Sequence, residues 1–494
     1  MIADIPHRIQ PGKAIPILIL INDAHLYPIT LLTIDINISI MDKKYHKRFR
    51  YCEFIDQPLV YEILYFNLPK RRLTTARIDV SFIYEQNGKQ KICHNDNYRH
   101  SSHASLETII DEHPLPRLEN WYYGDLHYHS YYTRDQVEFG APIEVARIMA
   151  EAMGLHFIGC TDHSYDLDDQ RENYLQNDPE LSKWTDLWRS IEMLNRNNNS
   201  FVVLAGEELS VGNHYKKNVH MLIFNNKSFI HGSGDGAEKW FANTPENQIP
   251  SVLETLDNEA LAFSAHSATL PPLSQRLLIN RGKWSRIDHS YPRLNGLQFW
   301  NGHNMKSFKK GKESWVQLLL LGHKKTIIAG NDAHGNFSRF RQIHIPFFSL
   351  KENEHEIFGG VKTAILTKNP LSRATLVKAL KLGRTVITDG PFAYFELQKG
   401  KRIFHLGDKF PHKTGILRIR GKSTPAFGMI KSVALFVGDC DEKKEKCYYY
   451  PADTYELEHL EEIDTLPGNG YIRLEVLTTL NRQLLSNPIY LGQD

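Results

Sequence analysis

Residues Trp121–Ser130 read WYYGDLHYHS, and the middle of the chain is understood from that stretch. In an extended strand successive side chains face opposite ways, so Asp125, His127 and His129 share one face. Three polar heads at the end of an apolar run call for a common partner, and a metal ion is the obvious one. The plainer reading is a surface strand whose histidines meet water. The rest of the chain decides between them.

Upstream, from Ile15 to about Tyr84, the apolar segments are short and β-branched: PILILI, ITLLTIDINISI, YEILYFNL and ARIDVSFIY. IDINISI alternates strictly, as a half-buried strand does. Residues 1–115 are therefore expected to form an all-β, sandwich-like module, with HPLPRLEN as the linker out of it. After Trp121 strand-like and helix-like runs alternate, the signature of β/α units and a largely parallel sheet or barrel. In PIEVARIMAEAMG, Pro142 suits a first helical turn and Gly154 a stop. This pattern sets a second domain at 116–390. From 391 to 494 the runs ILRIRG, SVALFVG and YIRLEVLTT indicate a C-terminal β-sandwich module.

A length of 494 residues is too great for one ordinary core. The formal net charge of +2 implies no global attraction to nucleic acid or a membrane surface. Five scattered cysteines argue for reduced thiols rather than a disulfide framework. No apolar run approaches the roughly 20 residues needed to span a bilayer. AIPILILI lacks a basic leader and a small-residue cleavage site. A cytoplasmic location is the expectation. The oligomeric state is not legible.

Nearly every apolar run of the middle region ends in a metal-capable residue. His127 and His129 close the first, and Asp162 with His163 close FIGCTDH. Glu207 and Glu208 follow VVLAG, His266 follows LAFSA, and Asp332 with His334 follow TIIAGN. His220 instead stands at a strand's start, before MLIF. In β/α architectures functional groups gather at the carboxyl ends of parallel strands. One such motif is weak, but five in one domain make a strong signal.

DLHYHS…TRD, TDH, GEE…VHML, AFSAHS and AGNDAH together resemble the ordered motifs of PHP-domain (polymerase and histidinol phosphatase) metal-dependent hydrolases. LKLGRTVITDGPFAYFEL is similar to the segment closing the core in the CehA/McbA-like subgroup, which is related to carbaryl hydrolase and a microcin-processing factor. The resemblance runs from about Tyr122 to Phe395. It implies a distorted (β/α)7 barrel holding two or three divalent transition-metal ions.

Carried over by motif, His127, His129, Glu208 and Asp332 hold the first ion. Glu208 bridges to a second held by His220 and His266, while Asp135, His163 and His334 hold a third. Gly-x-Glu selects Glu208, but Glu207 is adjacent, and the aim of the strand end decides between them. Catalytic work is assigned to Asp135, His163, His266 and His334. Asp125 and Asp162 stand where they could orient ligand histidines or simply meet solvent.

Six imidazoles and three carboxylates suit zinc, manganese or iron better than calcium or magnesium. Three divalent ions against three carboxylates leave about three positive charges, which favours an anionic small-molecule substrate. Arg339 and Arg341 in NFSRFRQ, and Asn301 in WNGHN, are the candidate substrate contacts. The expectation is a phosphoesterase using metal-bound hydroxide. Amide, carbamate or carboxylic-ester hydrolysis is the close alternative, and a non-catalytic metal-containing binding protein the rival of another class.

Overall fold

The computed structural model describes the chain apart from residues 68–72, 96–104, 134–139, 172, 199, 235–242, 339–341, 346–347, 352–355 and 493–494, and gives only the backbone of 342–345 and 348–351. It forms two units. One comprises Met1–Pro114, Glu144–Gly154 and Asn336–Ile357, the other Leu115–Ile143, Leu155–Gly335 and Phe358–Asp494.

The first unit is built on two sheets. Strands Ile2–Asp4, Ile15–Asn22 and Leu59–Phe66 make the smaller one, and the larger is centred on Ile29–Ile40 and Thr74–Gln86. Period-two alternation sends Ile34, Ile36, Ile38, Ile78, Val80 and Phe82 into a core shared with Ile17, Ile19 and Ile21. Arg8 is buried and forks onto Asp111 at 2.8 Å, also donating to the Met153 and His113 carbonyls. The helix Ile143–Met153 follows Pro142, and Gly154 ends it at φ +93°. From Glu144 on, it belongs to this unit.

The second unit is organised by one sheet of fifteen strands. Trp121–Tyr128, Phe157–Cys160 and Val202–Gly212 run parallel to one another. Val202–Gly212 then pairs antiparallel with Asn218–Phe224, which pairs antiparallel with Leu261–Ser264. Leu261–Ser264, Gly296–Asn301 and Thr326–Gly330 are again parallel. On its other side Trp121–Tyr128 pairs antiparallel with Lys362–Leu366. The sheet continues through Thr385–Thr388 into Gln483–Ser486, Gly470–Thr478, Ile430–Asp439 and Lys444–Thr454.

The expected (β/α)7 barrel between two sandwiches is therefore corrected. Strand outweighs helix, 46% against 17%, and parallel and antiparallel neighbours mix along one sheet. The physical reason is in the connections. Residues 213–217 turn Val202–Gly212 straight back into Asn218–Phe224, leaving no room for the crossover helix that a parallel pair requires. The glutamates of VVLAGEEL likewise lie inside a strand that runs on to Gly212, not at its end. Of the expected C-terminal module, six strands extend the large sheet, the two short ones Lys409–Phe410 and Ile489–Leu491 among them, and Phe392–Lys399, Gly415–Lys422 and Glu456–Ile463 belong to a separate four-stranded one.

None of the five cysteines forms a disulfide. Among the described residues no helix is long and apolar enough to cross a membrane.

Strands Thr326–Gly330 and Trp121–Tyr128 come together at Gly330. A Cβ there would lie 2.4 Å from His127 Cβ and 2.7 Å from its backbone nitrogen. Neither neighbour can give way without moving His127. Gly330→Ala is expected to cost about 1–3 kcal/mol, as overpacking a core does, measured by urea denaturation. Its metal content should fall as well.

Candidate metal centre

Glu208 is fully buried, and its two oxygens face different histidines. Oε2 lies 3.4 Å from His127 Nε2, 3.3 Å from His129 Nε2 and 3.2 Å from His163 Nδ1. Oε1 lies 2.9 Å from His220 Nδ1 and 3.0 Å from His266 Nε2. Asp332 Oδ1 stands 3.0 Å from His129 Nε2 and 3.2 Å from His127 Nε2. His334 stacks on His129 with ring centroids 4.1 Å apart.

Three overlapping groups in this cluster could each hold a metal ion. They are His127 with His129, Glu208 and Asp332; His163 with Glu208 and His220; and His129 with His163 and His334. The His127 and His129 Nε2 atoms approach to 3.2 Å. Nitrogens and carboxylate oxygens that converge on one point at this spacing suit a cation between them.

The backbone fixes these positions. Asp332 N donates to His127 O at 2.9 Å and His129 N to Ala333 O at 3.0 Å, zipping the Asp332–His334 loop to the strand end. Asp125 accepts from the backbone nitrogens of His127, Asn331 and Gly359 and from Asn331 Nδ2. Burial nevertheless pushes its pKa up to about 6. Asp162 gathers Ser130 N and Oγ and Thr133 N. Both aspartates therefore hold the ligand loops by their main chain. His266 and Asp332 adopt φ of +30° and +54°, conformations rare for residues with a side chain and typical of functional sites.

Of the nine ligands assigned from the sequence, the structure brings together His127, His129, His163, Glu208, His220, His266, Asp332 and His334. Asp135 lies outside the described residues, as do Arg339 and Arg341. The grouping differs from the one the resemblance implies, because His163 sits with Glu208 and His220 as well as with His334. Asn301, expected to meet substrate, stands beside the cluster. Its Nδ2 donates to Asp332 Oδ2 at 3.4 Å and its Oδ1 accepts from Gln298 Nε2 at 2.8 Å, so it steadies Asp332.

Glu207 and Glu208 have opposite environments. Burial pushes Glu207 up to about 8 despite a hydrogen bond from Ser164 Oγ. Burial acts on Glu208 in the same sense, but His220 and His127 outweigh it and hold that carboxyl well below the usual range. Glu208 is thus the ionised member of the pair.

Two residues escaped the sequence reading. Gln298 links the backbone of His266, which donates to its Oε1, with Asn301. Its one signal was a polar residue inside the apolar run GLQFWN. Arg281 places guanidinium nitrogens 2.5 and 3.0 Å from His220 Nε2 and Nδ1. It stands in the irregular stretch INRGKW, where no periodicity marks it.

No family model and no curated protein matches this chain. A glycosyl hydrolase family 2 member from Bacteroides cellulosilyticus is 8% identical with a TM-score of 0.18, over 100% of this chain and 62% of that protein. A Parabacteroides merdae beta-glucuronidase is likewise 8% identical with a TM-score of 0.18, over 97% and 63%. The chain thus spans about three-fifths of each. Scores this low carry nothing about fold or activity.

Glu208→Gln keeps the size of the side chain but removes the charge facing five imidazoles. Metal loading, read by elemental analysis, should drop by more than half, whereas Glu207→Gln should change it little. The reverse order would show that Glu207 turns toward the ions.

Proposed function

We propose that the chain is a metal-dependent hydrolase of the PHP kind, with phosphoesters as its first substrates. One observation carries the reading: a single buried carboxylate, Glu208, with histidines against both of its oxygens. A carboxylate shared by two cations needs that arrangement. The ordered motifs from DLHYHS to AGNDAH support the same reading, since their described residues reach this one cluster, while Arg134 and Asp135 lie outside the described residues.

Among the described residues the donors are six imidazoles with Glu208 and Asp332, a set for zinc, manganese or iron. Such ions supply Lewis acidity and an activated water. The protein's own groups do the rest. Two carboxylates against two or three divalent ions leave the loaded centre cationic, and Arg281 adds a fixed positive charge beside His220. An anionic ester is drawn in and held. His266 and Asp332 reach solvent, with side chains 16% and 18% exposed, so substrate meets the cluster on their side. The deeper residues, His127, His129 and Glu208, stay dry, which strengthens every charge interaction there.

An aryl phosphate and a neutral carboxylic ester with the same leaving group separate the candidate chemistries. With manganese- or zinc-loaded protein the phosphate should be cleaved faster. Inorganic phosphate should compete, and a chelator should abolish turnover until metal is restored. Faster cleavage of the neutral ester without phosphate inhibition would move the assignment to amide, carbamate or carboxylic-ester hydrolysis. Metal-loaded protein inert toward both classes would favour a binding role.

A further inference from the structure

Beside His220 and His266 a small cavity of about 70 Å³ is lined by Ser267, Thr269, Gln275, Arg281, Lys283 and Trp284, among others. Ser267 is 7% exposed, and its Oγ has no hydrogen-bond partner among the described residues. A larger cavity of about 730 Å³ shares Pro271, Arg281, Gly282, Lys283 and Trp284 with the first. Its volume falls in the range of small-molecule sites.

The walls of the larger cavity are of two kinds. Lys217, Arg276, Arg281 and Lys283 supply cations, and no acidic residue stands among the described lining residues. Leu270, Leu273 and Leu277 supply an apolar wall, yet they are 60%, 65% and 72% exposed. The short helix Leu273–Leu278 that carries two of them buries none of its residues. Covering such side chains is favourable, so leaving three bare on one concave wall marks a binding surface. The backbone beneath is fixed: Gly282 N donates to Asn218 O at 2.7 Å and Arg281 N to Gln275 O at 3.2 Å.

We propose that these joined cavities bind a single amphiphilic molecule, its anionic group at Arg281 and Lys283 beside the histidine cluster and its apolar body along Leu270, Leu273, Leu277 and Trp284. The inference rests on the hydrolase reading only for placing the scissile bond at the anionic end. It narrows that reading to esters in which an acyl- or aryl-like apolar portion adjoins an anionic group. Charge complementarity and continuity with the cluster favour one small molecule over a protein surface, because the leucines wall the same concavity as the cations.

Binding to the full-length protein tests this independently of turnover. In calorimetric titrations octyl phosphate, kept below its micelle concentration, should bind at least tenfold tighter than inorganic phosphate and at least tenfold tighter than octyl glucoside. Leu273→Ser with Leu277→Ser alters exposed positions. It should cut octyl phosphate affinity by at least fivefold while leaving inorganic phosphate affinity and metal content unchanged. Equal binding of the two phosphates, or octyl phosphate binding unaffected by the double substitution, would overturn the proposal. So would binding to anionic vesicles without binding of soluble octyl phosphate, which would make the leucines a membrane contact. Metal content and aryl phosphate cleavage on the same samples report on the hydrolase reading by itself.

Discussion

Burial of an ionised Glu208 is the constraint on which the rest of the second unit depends. An unpaired carboxylate in a protein interior costs several kcal/mol, and here five imidazoles surround it. Those histidines come from four separate segments, so the sheet must bring distant parts of the chain to one point. Much of the local architecture serves that convergence. Gly330 allows two strands to touch at His127, Asp125 ties three segments by their main chain, and Gln298 with Asn301 links His266 to Asp332.

Much of this was legible in the sequence, and the parts that were not have physical reasons. Strand alternation in IDINISI and helix boundaries at Pro142 and Gly154 are local signals, and the structure has a strand and a helix there. The site residues were visible because a histidine or carboxylate interrupts an apolar run. Strand direction was not visible: nothing in VVLAGEELSVG says whether its neighbour returns by a turn or a helix. Pairing was not visible either, so the union of Thr385–Thr388 with Gln483–Ser486 could not be read. Arg281 reaches His220 from an irregular stretch, and Asn301 turns inward to Asp332, because tertiary contacts alone decide such orientations.

The centre has a closed and an open side. His127, His129 and Glu208 are sealed by the strands, while His266 and Asp332 look outward. The cavities beside His220 and His266 combine guanidinium and ammonium groups with bare leucines. Charge would guide the reacting end of a substrate, and apolar contact would select what is attached to it.

The central claim is that Glu208 bridges two ions within the histidine cluster. Anomalous diffraction from crystals of the metal-loaded protein tests it most directly. The account expects two anomalous peaks about 3.5–4 Å apart, the separation of bridged two-metal sites, with Glu208 between them. A single peak per chain, or two peaks neither of which lies within coordination distance of Glu208, would contradict it.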